Sequence, residues 1–201
     1  MKNVAIALTL LVGLVGNAHA KGDAEAGKAK STTCMACHGA QGNKTLLNSY
    51  PKLAGQHADY IVKQLKEFKS GVRKDPTMAG MVAALSEQDM MDLAAYYQSQ
   101  QVTDGTTPEN VVEVAKKLYL GGDMDRKIAS CISCHGPRGN GSGLAKFPKI
   151  ASQNAEYIAA QLKKFRSGER MNDPSGMMVD TAKKLTDAEI DALSKYVGGL
   201  H

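Results

Sequence analysis

The sequence predicts an all-α chain of two tandem domains related by internal duplication. Three observations carry that expectation. The segment "YPKLAGQHADYIVKQLKEFKSGVR" at 50–73 aligns without a gap to "FPKIASQNAEYIAAQLKKFRSGER" at 147–170, pairing Pro51 with Pro148, Gln56 with Gln153, Tyr60 with Tyr157 and Phe68 with Phe165. Apolar residues recur at helical spacing, and no segment sustains strand alternation. A Cys-x-x-Cys-His motif stands in each half, "CMACHGAQGN" at 34–43 and "CISCHGPRGN" at 131–140. With only two copies, each nearly as long as a small domain, the pattern is a duplication rather than a solenoid.

Residues 1–20 stand apart from this scheme. Lys2 precedes the apolar run "VAIALTLLVGLV", and Ala18, His19 and Ala20 form a small-x-small cleavage pattern. That is the build of a secretory signal peptide, and the run is shorter than the roughly 20 residues a membrane span requires. The mature chain is therefore read from Lys21, with export to an oxidising compartment. The N-terminal domain is placed at 21–103, a linker at 104–108 and the C-terminal domain at 109–201. The polar stretch "SQQVTDGTTPEN" at 99–110, closed by Pro108, supplies the break.

The elements follow in order. "DAEAGKAK" at 23–30 is a weak helix whose counterpart, "ENVVEVAKKLYLGG" at 109–122, sets Val111, Ala115 and Leu118 on one side. In the aligned segment Ile61, Leu65 and Phe68 make a helical face that Gly71 is placed to end. Ser86 with Asp89, and Thr186 with Glu189, are capping boxes that start the last helix of each half.

The whole chain holds 25 Lys and Arg against 20 Asp and Glu, spread evenly, with no basic block. Nucleic-acid binding therefore has no support. Halves this small, without Trp and with three Phe in all, need a staple or a cofactor to complete a core.

Three chemistries compete for the cysteine motifs besides simple disulfides. A thioredoxin-like dithiol needs a βαβ setting and leaves the adjoining histidine unexplained. A shared zinc site needs pairs much closer in sequence. Covalent haem attachment uses all three residues: Cys34 and Cys37, or Cys131 and Cys134, form thioethers to the porphyrin, and His38 or His135 reaches the iron. That reading gives one haem c group per domain, two in all.

A haem iron bound by histidine is either open and reactive or capped by a second residue. His57 aligns with Asn154, so it cannot serve both halves, and it reads as an exposed residue at a helix start; His201 is terminal and reads as exposed. Methionine suits better. "DPTMAGMVAALS" and "DPSGMMVDTAKKLT" place methionines in a loop before each capped helix, and Met78 and Met178 each lie eight residues before the cap. Counting forward from Asp-Pro instead favours Met177, but the cap is the firmer anchor because the loop carries the length difference. Met81 is therefore the second choice in the first half and Met177 in the second. Met35, Met90, Met91, Met124 and Met171 read as packing or surface. Pro51 and Pro148 each follow their motif histidine by thirteen residues, and either offer it a carbonyl or only shape the loop.

These residues, with "YPKLAGQ", "FPKIASQ", "GDAEAGKAK" and the terminal "GGLH", resemble the dihaem cytochrome c4 family over essentially the whole mature chain. The resemblance implies two cytochrome c-like folds facing each other across a pseudo-two-fold axis. It implies His38 and Met78 as ligands of one iron, His135 and Met178 of the other, and Pro51 and Pro148 as the prolines that orient the histidines. It further implies outer-sphere electron carriage in the periplasm, often peripheral to the membrane, from a bc1-type complex toward a terminal oxidase, with no small-molecule substrate. Haem propionates bring the net charge close to zero, so partners are steered by local patches, with Lys44, Lys146 and Lys149 as candidates. The alternatives are an electron-transfer subunit of a periplasmic dehydrogenase and a dihaem peroxidase. The latter needs an open ligand position.

Overall fold

The structure, a computed structural model, describes residues 22–201; the expected signal peptide lies outside the described residues. Ten α-helices are present among the described residues: α1 Ala24–Lys30, α2 Thr32–His38, α3 Ala58–Ser70, α4 Pro76–Val82, α5 Glu87–Ser99, α6 Glu109–Gly121, α7 Ile132–His135, α8 Ala155–Ser167, α9 Met177–Ala182 and α10 Asp187–Gly198. Among the described residues there is no strand, only isolated bridges at Asp123–Ile128 and Ser142–Phe147. No helix there is long and apolar enough to cross a membrane.

The duplication is visible in the packing. In the first copy α1 crosses α5, α3 packs on α5, and α4 lies against α3. In the second, α6 crosses α10, α8 packs on α10, and α9 lies against α8. The capping boxes at Ser86 and Thr186 are formed, each oxygen accepting the N–H of Asp89 or Glu189 while that carboxylate accepts the cap residue's own N–H. The periodic faces they start become the cores. Met90, Leu93 and Tyr97 are buried in α5, as Ile190, Leu193 and Val197 are in α10. Burying each such side chain is worth about 1.5–3 kcal/mol. Helices α3 and α8 both end at a left-handed glycine, Gly71 (φ 76°) and Gly168 (φ 79°), a conformation that carries no Cβ penalty in glycine.

The first crossings differ. At Gly27 a Cβ would stand 2.0 Å from the Asp92 carbonyl oxygen, so only glycine lets α1 approach α5. The longer α6 makes its crossing with the wholly buried Ala115. Residues 100–108, which hold no helix, are strapped to both copies. Lys52 Nζ donates to the Thr103 carbonyl at 2.8 Å, Thr103 N–H to Asn43 Oδ1 at 2.8 Å, and Thr107 Oγ1 to the Tyr196 carbonyl at 3.1 Å.

Candidate haem sites and the surface between them

Each cysteine motif forms a short helix that ends on its histidine, followed by a glycine with positive φ. The four cysteines are unpaired and partly exposed. Burial pushes the Cys131 thiol up to about 11, away from the thiolate that disulfide exchange needs. Among the described residues no three His, Cys, Asp or Glu side chains gather as a metal-holding group.

His38 and His135 are buried, and burial lowers the pKa of both against the raising effect of a proline carbonyl. In the neutral ring Nδ1–H donates to the Pro51 carbonyl at 2.9 Å, and in the second copy to the Pro148 carbonyl at 2.9 Å. Nε2 of neither ring makes a hydrogen bond among the described residues, which leaves that lone pair available to a metal.

The methionines lie in the first turn of a short helix, not in a loop as their sequence context suggests. Asp75 caps α4 and Pro76 occupies its first turn, a combination that starts helices efficiently. Asp75 Oδ1 accepts the Met78 N–H at 3.0 Å, and Asp173 Oδ2 accepts the Met178 N–H at 2.6 Å. The two backbone positions are therefore equivalent. Met78 and Met178 are half-buried, whereas Met81 (44 % exposed) and Met177 (40 %) face solvent. Met178 packs against Phe165, Val179 and Ala182. Elsewhere Met90 is core, and Met124 and Met171 are exposed.

The donor set fits haem: two thiols, an imidazole with Nδ1 committed and Nε2 free, and a half-buried thioether in each copy. The buried Tyr97 hydroxyl beside Cys34, without a hydrogen-bond partner among the described residues, is a further polar atom a bound group can satisfy.

Between the copies lies an arrangement with approximate two-fold symmetry. Arg73 donates to Gln64, and across the boundary to Tyr157 and Gln161. Arg170 donates to Gln161 and Asn172, and across to Tyr60 and Gln64. Each guanidinium also lies 4.5 Å from the ring centroid of a phenylalanine, Phe68 or Phe165. Gln56 and Gln153 reach over to the backbone of Lys149 and Lys52. His57 is not an exposed residue: it is half-buried, and Nε2–H donates to the Asn140 carbonyl at 2.7 Å. Its aligned partner Asn154 donates to the Tyr50 carbonyl at 2.7 Å. Sequence reasoning paired these positions but missed that each serves the opposite copy. His201 is exposed, as are Lys44 and Lys146, while Lys149 is half-buried.

Tandem cytochrome c domains are the class this fold and these sites define, and the cytochrome c family model matches the chain twice, over residues 24–101 and 116–201. The chain is 44 % identical to the cytochrome c4 of Stutzerimonas stutzeri over 211 residues, covering 100 % of both. The crystal structure of reduced recombinant cytochrome c4 from Pseudomonas stutzeri superposes with a TM-score of 0.87 at 43 % identity, covering 90 % of this chain and 100 % of that one. A protein named thiosulfate dehydrogenase electron acceptor, from Stutzerimonas stutzeri (strain A1501), is 39 % identical over 166 residues, 81 % of this chain and 76 % of the relative. The chain belongs to the cytochrome c4 family. It is a dihaem electron-transfer cytochrome, an electron carrier and not an enzyme, with two covalently bound haem c groups.

Proposed function

We propose that the chain is a periplasmic shuttle carrying one electron per haem from a bc1-type complex toward a terminal oxidase. Cys34 and Cys37 hold one haem by thioethers and Cys131 and Cys134 the other. His38 and Met78 are the axial ligands in the N-terminal domain (21–103), and His135 and Met178 in the C-terminal domain (109–201). One repeated arrangement carries this reading: an imidazole with Nδ1 committed to a proline carbonyl at 2.9 Å, and a half-buried methionine whose N–H is pinned by an aspartate.

Bound haem supplies the one-electron couple of its iron. The chain's residues determine how that couple is used. Pro51 and Pro148 fix the imidazole rings and raise their basicity. A soft thioether from Met78 or Met178 on the iron would favour the reduced state, raise the potential relative to a histidine in its place, and keep peroxide off the iron. With both ligands retained in either oxidation state little has to reorganise, which suits outer-sphere transfer.

Optical spectra with a haem-to-protein ratio test this reading. Two haems per chain are expected. Met78→Ala and Met178→Ala should each remove half of the methionine–Fe(III) charge-transfer absorption, while Met81→Ala and Met177→Ala leave it intact. The reverse pattern would reassign the ligands.

A second reading rests on the relative named as the electron acceptor of a thiosulfate dehydrogenase. Here the same centres take electrons from a periplasmic dehydrogenase. Co-purification of a stoichiometric catalytic subunit with the native protein would favour it over the free shuttle.

A further inference from the structure

One peptide group joins each histidine to the opposite domain. The Pro51 carbonyl accepts from His38 Nδ1 at 2.9 Å. The N–H of that same peptide unit belongs to Lys52, and it donates to Gln153 Oε1 of the C-terminal copy at 2.7 Å. Gln153 Nε2 returns a bond to the Lys52 carbonyl at 2.9 Å. The mirror arrangement is complete. His135 Nδ1 donates to the Pro148 carbonyl at 2.9 Å, Lys149 N–H to Gln56 Oε1 at 2.9 Å, and Gln56 Nε2 to the Lys149 carbonyl at 2.8 Å.

Both glutamines are buried, Gln56 at 9 % and Gln153 at 8 % exposure. Their amide orientation is fixed by a further bond. Gln56 Oε1 also accepts the His57 N–H at 3.0 Å, and Gln153 Oε1 the Asn154 N–H at 2.9 Å. A flipped amide would set two N–H groups against an NH2.

We propose that Gln56 and Gln153 are crossed positioning residues, each tuning the haem of the other domain through the proline–lysine peptide on which that domain's histidine rests. The inference builds on the reading of His38 and His135 as axial ligands. An amide whose N–H donates is polarised, and its carbonyl becomes a stronger acceptor. A stronger acceptor at Nδ1–H makes the imidazole more basic at Nε2, which stabilises ferric iron and lowers the potential. Because the glutamine comes from the opposite copy, the contact between domains is part of each site's electronic setting.

The test uses the full-length holoprotein, with haem methyl resonances assigned to each domain and followed through a redox titration. Gln153→Ala should raise the potential of the N-terminal haem, and Gln56→Ala that of the C-terminal haem. At fixed ambient potential the affected haem's oxidised-to-reduced ratio should fall by roughly two- to tenfold. The other haem should move less. A larger shift on the variant's own domain, equal shifts on both haems, or no shift overturns the proposal. Hydrogen exchange of the unmutated protein gives a second check: the Lys52 and Lys149 amides should exchange slowly, and free exchange at either sinks the shared peptide. Absence of hyperfine-shifted imidazole resonances in the unmutated protein would instead overturn the axial assignment, independently of the glutamines.

Discussion

The two copies hold an equivalent methionine, yet the backbone reaches it by different paths. In the N-terminal copy Met78 is the third residue of α4, after the Asp75 cap, Pro76 and Thr77. In the C-terminal copy two more residues separate Asp173 from Met178. They are absorbed by a 3₁₀ turn, Pro174–Gly176, in which Ser175 (φ 56°) and Gly176 (φ 70°) are left-handed. The aspartate still receives the methionine N–H. The boundary differs as well. Arg170 is 7 % exposed and bonds an extra partner, Asn172, whereas Arg73 is only half-buried. The contrast teaches that the duplication preserved contacts rather than lengths, and loaded one side of the boundary more heavily.

The largest expected effect tests that loading. Arg170→Ala leaves Tyr60, Gln64, Gln161 and Asn172 short of a partner and should cost about 3 kcal/mol in denaturant unfolding. Arg73→Ala should cost about 1 kcal/mol, since water reaches its site; equal losses would break the asymmetry. Next come the helix crossings. Gly27→Ala forces α1 off α5 and should cost about 2 kcal/mol, against about 1 kcal/mol for the reciprocal Ala115→Gly in the longer α6. Smaller still is Ser175→Gly. Relief of a left-handed serine, less the extra freedom of the unfolded chain, should give a gain of about 0.5 kcal/mol. A loss would show the serine side chain to be held by something else.

Acid gives the subtlest contrast. In the N-terminal copy Asp89 is held below the usual carboxylate range by hydrogen bonds from Lys30 and then Ser86. In the C-terminal copy Asp123, Asp187 and Glu189 are all lowered, chiefly by hydrogen bonds from Arg126 to Asp123 and Glu189 and from Arg166 to Asp187. A folded pKa below the unfolded value means stability that is present above about pH 4 and lost as pH falls through the folded values. Melting temperature should therefore be steady from pH 6 to 5 with respect to these groups, then decline. Arg126→Gln removes the side-chain bonds to Glu189 and Asp123 but keeps the backbone N–H on Asp123 and leaves Arg166 on Asp187. It should therefore weaken, not abolish, the acid response of the C-terminal copy and leave that of the N-terminal copy as it was. A weakened response in both would mean the copies titrate as one.

Much of the fold was legible because it depends on local pattern. The caps at Ser86 and Thr186, the face of Ile61, Leu65 and Phe68, and the terminating Gly71 are signals within one turn or one helix. The pairing of Gln56 with Gln153 was legible too, but not its meaning. An alignment matches a residue to its counterpart and says nothing of which copy its side chain faces. His57 was misread for that reason, since a polar residue opposite Asn154 looks like surface until the other copy covers it. Short α4 escaped notice because Asp-Pro reads equally as a turn. Counting back from the cap favours Met178 over Met177, and the bond from the Met178 N–H to Asp173, like that from Met78 to Asp75, agrees with that position.

The strap at 100–108 has a consequence for encounter. Lys52, Asn43 and Thr107 tie it to both copies, so the two centres keep one mutual orientation rather than swinging on a tether. Orientational search is what brings protein association far below the diffusion limit. A molecule that settles correctly against one face has by that act fixed its angle to the other, so a single search serves both electrons.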